Sequence, residues 1–261
     1  MSHSLRKARI VLHIARGVLL AATVFQRASA AKRQDLIRAW SRHLLHLCGM
    51  KLVVHGDAHT IDAGTLVVGN HVSWIDIYVV NAWRPTPFVA KSEIAKWPVI
   101  GWLAKTIGTV FIEREKRGDA RRIMHHLASE LSAGRNMFVF PEGTTSDGQG
   151  LLPFHSNLFQ AAVSAGAPVQ PVAMVYKDAA GNPTRAPAYI DDMNLLDTLN
   201  AMLDAAPLEV HLYVGEGIEP GAQRRELSAM AEATIGAALD AMRRGSMPVE
   251  IDRTSASVVS A

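Results

Sequence analysis

The sequence predicts an α/β fold: a largely parallel central sheet flanked by helices, behind an N-terminal helical hairpin. Three observations point there. From residue 51 onward, short β-branched runs alternate with longer helical patterns, the signature of strand–helix–strand units. The chain has 261 residues, 49% hydrophobic and 20% charged, which suits one large core and excludes a disordered chain. Basic charge is concentrated at the front. Residues 1–50 hold nine Lys or Arg against one acid, Asp35, about +8 net, while the remainder carries about −5. Cys48 is the single cysteine, so a disulfide-stapled scaffold and a cysteine-rich zinc module are both excluded.

The hairpin comes first. Residues 10–25 are mostly apolar but contain His13 and Arg16. The longest uncharged run, 17–26, is shorter than the ~20 residues a spanning helix needs. Arg6, Lys7 and Arg9 ahead of this stretch and Ala28-Ser29-Ala30 behind it fit a secretory leader, although Arg16 shortens the apolar core. Two other readings are a tilted, half-inserted membrane helix and a surface helix packed on the domain. Residues 32–50 place Leu36, Ile37, Trp40, Leu44 and Leu47 at helical spacing, with Arg33, Arg38, Arg42, His43 and His46 among them. That is a basic amphipathic helix with Trp40 at interfacial depth. Such an arm favours an anionic membrane surface over nucleic acid, whose binders spread their basic patch over the folded domain.

Strands are read next at 51–55, 65–68, 87–90, 109–112, 137–140, 169–176 and 208–214. Helices are read at 75–83, 93–107, 117–132, 156–165, 195–204 and 224–242, with Gly, Pro or Asn at most junctions. No repeat or low-complexity linker interrupts them. Residues 51–245 therefore read as one domain behind the arm of 1–50, and 246–261, rich in Ser and small residues, as a mobile tail.

In a parallel sheet, chemistry sits on loops leaving the carboxyl ends of strands. Two such loops are dense in specific polar groups. One is Gly69-Asn70-His71-Val72-Ser73-Trp74-Ile75-Asp76; the other is Pro141-Glu142-Gly143-Thr144-Thr145-Ser146-Asp147-Gly148. On a regular helix His71 and Asp76 would lie about 140° apart and could not meet. They meet if His71 sits in the strand-to-helix turn and Asp76 in the first helical turn. The carboxylate then fixes the imidazole tautomer and stabilises the imidazolium, leaving the other ring nitrogen as a general base. There is no Gly-x-Ser-x-Gly elbow and Cys48 lies in the arm, so the expected nucleophile is a hydroxyl of a bound substrate. Two alternatives stand beside this: a helix-capping histidine next to an ordinary first-turn Asp, and a metal site with Glu142 as third ligand. No further His or Cys cluster is placed to complete a metal shell. His125-His126 reads as a helix face, and Asp191-Asp192 as acids at a helix N-terminus.

These residues resemble the glycerolipid acyltransferases, the 1-acyl-glycerol-3-phosphate and related lysophospholipid acyltransferases. Asn70-His71-x-Ser73-x-x-Asp76 and Phe140-Pro141-Glu142-Gly143-Thr144 are similar to that family's first and third motifs. Its second is similar to Lys91-Ser92-Glu93-Ile94, Pro98-Val99-Ile100-Gly101 and Gly108-Thr109-Val110-Phe111-Ile112-Glu113-Arg114. Its fourth is similar to Val169-Gln170-Pro171-Val172-Ala173, and all four occur in family order over 69–173. The resemblance implies acyl transfer from a thioester, acyl-CoA or acyl carrier protein, to the free hydroxyl of a lysolipid, with no metal and no other cofactor. It implies His71 and Asp76 as catalytic residues. It implies Asn70, Ser73, Lys91, Arg114, Glu142, Gly143, Thr144 and Thr145 as substrate-binding residues. Arg114 would hold phosphate, a task guanidinium geometry suits; the plainer reading is a surface ion pair with Glu113 or Glu115. Candidate oxyanion donors are the backbone amides near Gly143 or Asn70, and Lys91.

One position departs from the pattern. Many phosphatidate-forming members carry Arg where this chain has Thr145, and its loss weakens the case for a phosphate monoester acceptor. The Glu142-to-Ser146 run resembles a bacterial subgroup that includes lyso-ornithine lipid acyltransferases. The leading acceptor is still 1-acyl-sn-glycerol-3-phosphate, giving phosphatidic acid, because Arg114, Lys91 and Lys96 can serve a phosphate. A lyso-ornithine lipid or other lysolipid is the alternative. A thioesterase-like hydrolase and a non-enzymatic membrane-interface binding protein are the rivals from other classes. The arm is similar in pattern to the family's membrane helices. The expected location is therefore the inner membrane, with the catalytic domain on the cytoplasmic side and no nucleic-acid partner.

Overall fold

A computed structural model describes residues 3–56, 62–112 and 117–246, apart from the side chains of 91, 93, 112 and 117–121. Three helices open the chain: α1 (His3–Ala22), α2 (Val24–Arg27) and α3 (Ala30–Leu47). A reciprocal contact locks α1 to α3. His13 Nε2 lies 2.9 Å from the Trp40 carbonyl oxygen, and the Trp40 indole N–H donates to the His13 carbonyl at 3.2 Å. The two rings stack at 4.6 Å, and Trp40 also meets Tyr78 at 5.5 Å. Trp40, expected at interfacial depth, is half-buried and also packs within the hairpin. α1 buries Ile10, His13, Gly17 and Ala21, which recur every three to four residues. It leaves Leu5, Leu12 and Leu19 exposed on another face, at seven-residue intervals. The helix is apolar on both sides, one packed and one open. The stretch His3–Arg27 is long and apolar enough to cross a membrane by length and composition, more than the short uncharged run suggests.

The remainder alternates. In order come β1 (Met50–Gly56), β2 (Leu66–Gly69), α4 (Asp76–Trp83), β3 (Val89–Lys91), α5 (Ser92–Ala95), α6 (Ile100–Thr106) and β4 (Val110–Ile112). They are followed by α7 (Arg117–Ser132), β5 (Met137–Val139), a 3₁₀ turn (Ser156–Phe159) leading into α8 (Gln160–Ala165), β6 (Val169–Lys177), α9 (Leu195–Ala205), β7 (Leu208–Val214) and α10 (Arg224–Arg243). All seven expected strands form. The single helix expected over 93–107 is instead two, α5 and α6. Pro98 offers no N–H and disfavours helical backbone at Trp97, and Val99 turns through a φ of +66°.

Five strands make one sheet in the order β1-β7-β6-β2-β5. All neighbours are parallel except β6 and β7. β3 and β4 pair in parallel, and a bridge from Phe88 to Phe138 hangs that pair on β5. One face packs Val67, Phe138, Met174 and Leu212 under α3, α4 and α9. The other packs Leu66, Val139 and Val169 under α7, α8 and α10. Leu66 and Val67 point to opposite layers, as the two-residue period of a strand requires. Leu44, Leu45, Leu47 and Cys48 sit in the first of these cores, so the arm shares the core of the domain. Burial pushes the Cys48 thiol up to about 12, which keeps it out of the thiolate form. Of the expected tail, 246–261, all beyond Ser246 lies outside the described residues.

This topology places the site. β2 and β5 are adjacent and parallel, so the loops after Gly69 and Val139 leave one edge side by side. β6 flanks β2 on its other side and carries Tyr176 near the same edge.

Candidate active site

Asp76 opens α4, and its side chain is fully buried. Its Oδ2 lies 2.8 Å from His71 Nδ1 and accepts the backbone N–H groups of Val72 at 2.7 Å and Ser73 at 2.9 Å. The Tyr176 hydroxyl donates to Oδ1. A carboxylate facing amides that can only donate is an acceptor throughout. The proton of the His71–Asp76 bond therefore sits on Nδ1, and Nε2 keeps its lone pair. An unpaired buried carboxylate would cost several kcal/mol; four donors offset that here. Tyr176 is itself pushed well above its ordinary pKa, first by burial and then by the Asp76 charge and the bond to it. It stays protonated and keeps donating. The sequence reading leaves Tyr176 unassigned. Its signal is a polar handle near the carboxyl end of an otherwise apolar strand.

Two constraints hold the imidazole. The bond to Asp76 sets its rotation, and Phe140 sets its plane: the rings stack with centroids 3.8 Å apart and planes 10° apart. The His71 side chain is 19% exposed, so the ring is reachable from outside while Asp76 is not. The His71 main chain is tied to the neighbouring loop. Its N–H donates to Glu142 Oε1 at 2.6 Å, and its carbonyl accepts the Ser146 N–H at 2.8 Å and hydroxyl at 3.2 Å. Glu142 Oε2 takes the Leu152 N–H at 2.9 Å. Burial pushes the Glu142 carboxyl up to about 7, against the pull of those two amides. Gly143, at φ +73°, turns the loop, and its N–H closes the turn on the Phe140 carbonyl at 3.0 Å.

Several residues expected to bind substrate hold the main chain of the site. The Asn70 side chain pairs with both polar groups of Met174, its NH₂ donating to the carbonyl at 3.0 Å and its Oδ1 accepting the N–H at 2.8 Å. It extends the β2–β6 ladder past Gly69. Ser73 is fully buried; its N–H serves Asp76 and its carbonyl accepts the Asp76 N–H at 3.2 Å. Each Glu142 oxygen accepts one backbone amide. The Gly143 amide is committed to its turn and is not open to an oxyanion. Thr145 donates its hydroxyl to the Tyr189 carbonyl, and Tyr189 donates its N–H to the Val72 carbonyl at 2.9 Å. The segment after β6 thus borders the site, a contact the sequence reading misses. Thr144 is exposed at the rim. Lys91 ends β3, with its side chain outside the described part, and Arg114 lies outside the described residues altogether. Among the described residues no group of three or more His, Cys, Asp or Glu is arranged to hold a metal ion.

The profile of the Acyltransferase family matches residues 51–175, from β1 into β6 and across both loops. Over 242 residues the chain is 39% identical to the lyso-ornithine lipid O-acyltransferase of Pseudomonas aeruginosa, covering 90% of this chain and 92% of that one. Over 128 residues it is 48% identical to the 1-acyl-sn-glycerol-3-phosphate acyltransferase of Neisseria gonorrhoeae, covering 49% and 50% respectively. The fold is similar to the crystal structure of the 1-acyl-sn-glycerophosphate acyltransferase PlsC of Thermotoga maritima. The TM-score is 0.65 at 23% identity, covering 91% of this chain and 98% of that one. Similarity at this level along nine-tenths of the sequence shows that the chain belongs to the acyltransferase family and is an acyl-transferring enzyme.

Proposed function

We propose that the enzyme moves a fatty acyl group from a thioester, acyl-CoA or acyl carrier protein, to the free hydroxyl of a lysolipid, with His71 as general base. The observation that carries this reading is the 2.8 Å bond between His71 Nδ1 and a buried, fully hydrogen-bonded Asp76, which leaves Nε2 as the one basic ring nitrogen. The acceptor hydroxyl gives its proton to Nε2 as its oxygen attacks the thioester carbonyl. Asp76 stabilises the imidazolium so formed. The tetrahedral intermediate then expels the sulfur, the imidazolium returns the proton to the departing thiol, and an ester is left on the lysolipid.

Two acceptor classes have specific support. Thr145 stands where a cation would serve a phosphate monoester, and its hydroxyl is engaged by Tyr189, which favours a lyso-ornithine type of aminolipid. The higher identity, 48% over half the chain, is to a 1-acylglycerol-3-phosphate enzyme, which favours that acceptor. The open apolar stripe of Leu5, Leu12 and Leu19 on α1, beside a strongly basic arm, supports work at an anionic membrane surface. The test is one labelled acyl donor offered with a panel of lysolipids. His71→Ala or Asp76→Ala should lower turnover at least about 100-fold, the loss of a positioned acid–base group. Normal turnover in purified His71→Ala overturns the mechanism. Release of free acid without any acceptor points to a hydrolase instead.

A further inference from the structure

The edge of the sheet that carries His71 has a second recess. It encloses about 870 Å³, within the roughly 300–1,000 Å³ usual for small-molecule sites. Its walls are the starts of β1 and β7, the first turns of α1, the end of α3 and the turn after β6. Arg6, Arg9, His46 and Lys51 line it. Two acids line it as well, but both are engaged. Asp178 Oδ1 accepts the N–H groups of Ala180 and Asn182 at 2.9 Å each. Glu209 takes Lys51 at 3.0 Å and His211 at 3.2 Å. Arg6 makes no hydrogen bond or ion pair among the described residues. Gly49, at φ +76°, leaves room for it: a Cβ there would come within 3.1 Å of Arg6 Nη1. A half-covered guanidinium without a counter-ion, among other cations, matches the oxygens of a phosphate ester.

The recess and the base are linked. β7 and β1 lie two and three strands from β2, about 10–14 Å away at the usual strand spacing of about 4.8 Å. The segment after β6 borders both. Asp178 and Gly181 line the recess, and Tyr189 is bonded to Val72 and Thr145 beside His71. Underneath, Trp74 meets Tyr78 at 6.0 Å, Tyr78 packs on the core that holds Cys48, and Gly49, next in the chain, lies against Arg6.

We infer that this recess binds the nucleotide phosphates of a coenzyme A donor. Acyl-CoA carries its thioester and its phosphates at opposite ends of a flexible pantetheine arm. A donor with its carbonyl beside His71 Nε2 needs a cationic recess on the same edge at that arm's reach. The inference rests on the thioester-donor reading above.

The test uses the full chain in neutral detergent micelles and 3′,5′-ADP, the phosphorylated end of coenzyme A without thiol or acyl group. Calorimetry should show binding to the wild type and to His71→Ala alike, in competition with acyl-CoA. Arg6→Gln and Lys51→Gln should each weaken binding about tenfold and raise KM for acyl-CoA by a similar factor, with little change in kcat. If 3′,5′-ADP does not bind while turnover with acyl-CoA persists, the recess is misassigned and the proposed function stands. If the wild type turns over no thioester donor at all, the proposed function fails instead. Turnover with acyl carrier protein alone overturns the inference. So does Arg6→Gln losing affinity for phosphatidylglycerol vesicles with KM unchanged, which would assign the recess to a lipid phosphate.

Discussion

Replacing Tyr176 by phenylalanine removes one oxygen atom from beneath the active site. That hydroxyl donates to Asp76 Oδ1, and the other carboxylate oxygen holds His71, Val72 and Ser73. Tyr176 is 3% exposed and packed in the core, so the ring of the variant keeps its place and no cavity opens. What is lost is one hydrogen bond to a charged group, about 1.5–3 kcal/mol. In a domain of this size roughly 1 kcal/mol moves Tm by about 2–4 °C, so a fall of about 3–12 °C is expected. The effect on catalysis should be smaller than losing Asp76, because three donors still fix the carboxylate. A loosened Asp76 lets the imidazole tilt against Phe140, and about 1.4 kcal/mol of transition-state stabilisation corresponds to tenfold in kcat. Steady-state kinetics with a labelled acyl donor should show kcat reduced about tenfold, with both KM values little changed. A variant with wild-type Tm and wild-type kcat would refute the claim that β6 holds the carboxylate.

Two further outcomes are expected. Burial raises the Glu142 carboxyl to about 7 from 4.5, so the folded protein holds a proton there that the unfolded chain has released. Stability should fall as pH rises from 4.5 to about 7, by up to about 3 kcal/mol, and Glu142→Gln should lack that slope in urea melts across the same range. A flat wild-type profile refutes the assignment. The Trp74 indole N–H is buried with no partner among the described residues, at a cost of about 1–3 kcal/mol. Trp74→Phe keeps the edge-on contact with Tyr78 and should be neutral or stabilising by thermal melt, and a large loss of stability would refute this.

The strands are legible in the sequence because each is a short β-branched run bounded by Gly, Pro or Asn, and burial on both faces leaves little polar noise. The meeting of His71 and Asp76 is legible because that separation closes only across a turn into a helix. Direction is not legible: an apolar run reads alike both ways, and nothing local says that β7 runs against β6. Tyr176 is hidden because its partner lies 100 residues away and a tyrosine ending an apolar run reads as core. Asn70 and Glu142 are conspicuous, but the distant amides they hold are not visible in the sequence. Flanking arginines suggest an interface for Trp40, and nothing local says that it also packs on His13, 27 residues earlier.

The peptide groups on either side of His71 are anchored to Glu142 and Ser146, and its ring to Asp76 and Phe140. The loop that holds His71 also holds the post-β6 segment, through Thr145 on Tyr189 and Tyr189 on Val72, so the rim and the imidazole share one hydrogen-bonded frame. A substitution at Thr145 or Tyr189 should therefore be felt at His71 as well as at the rim.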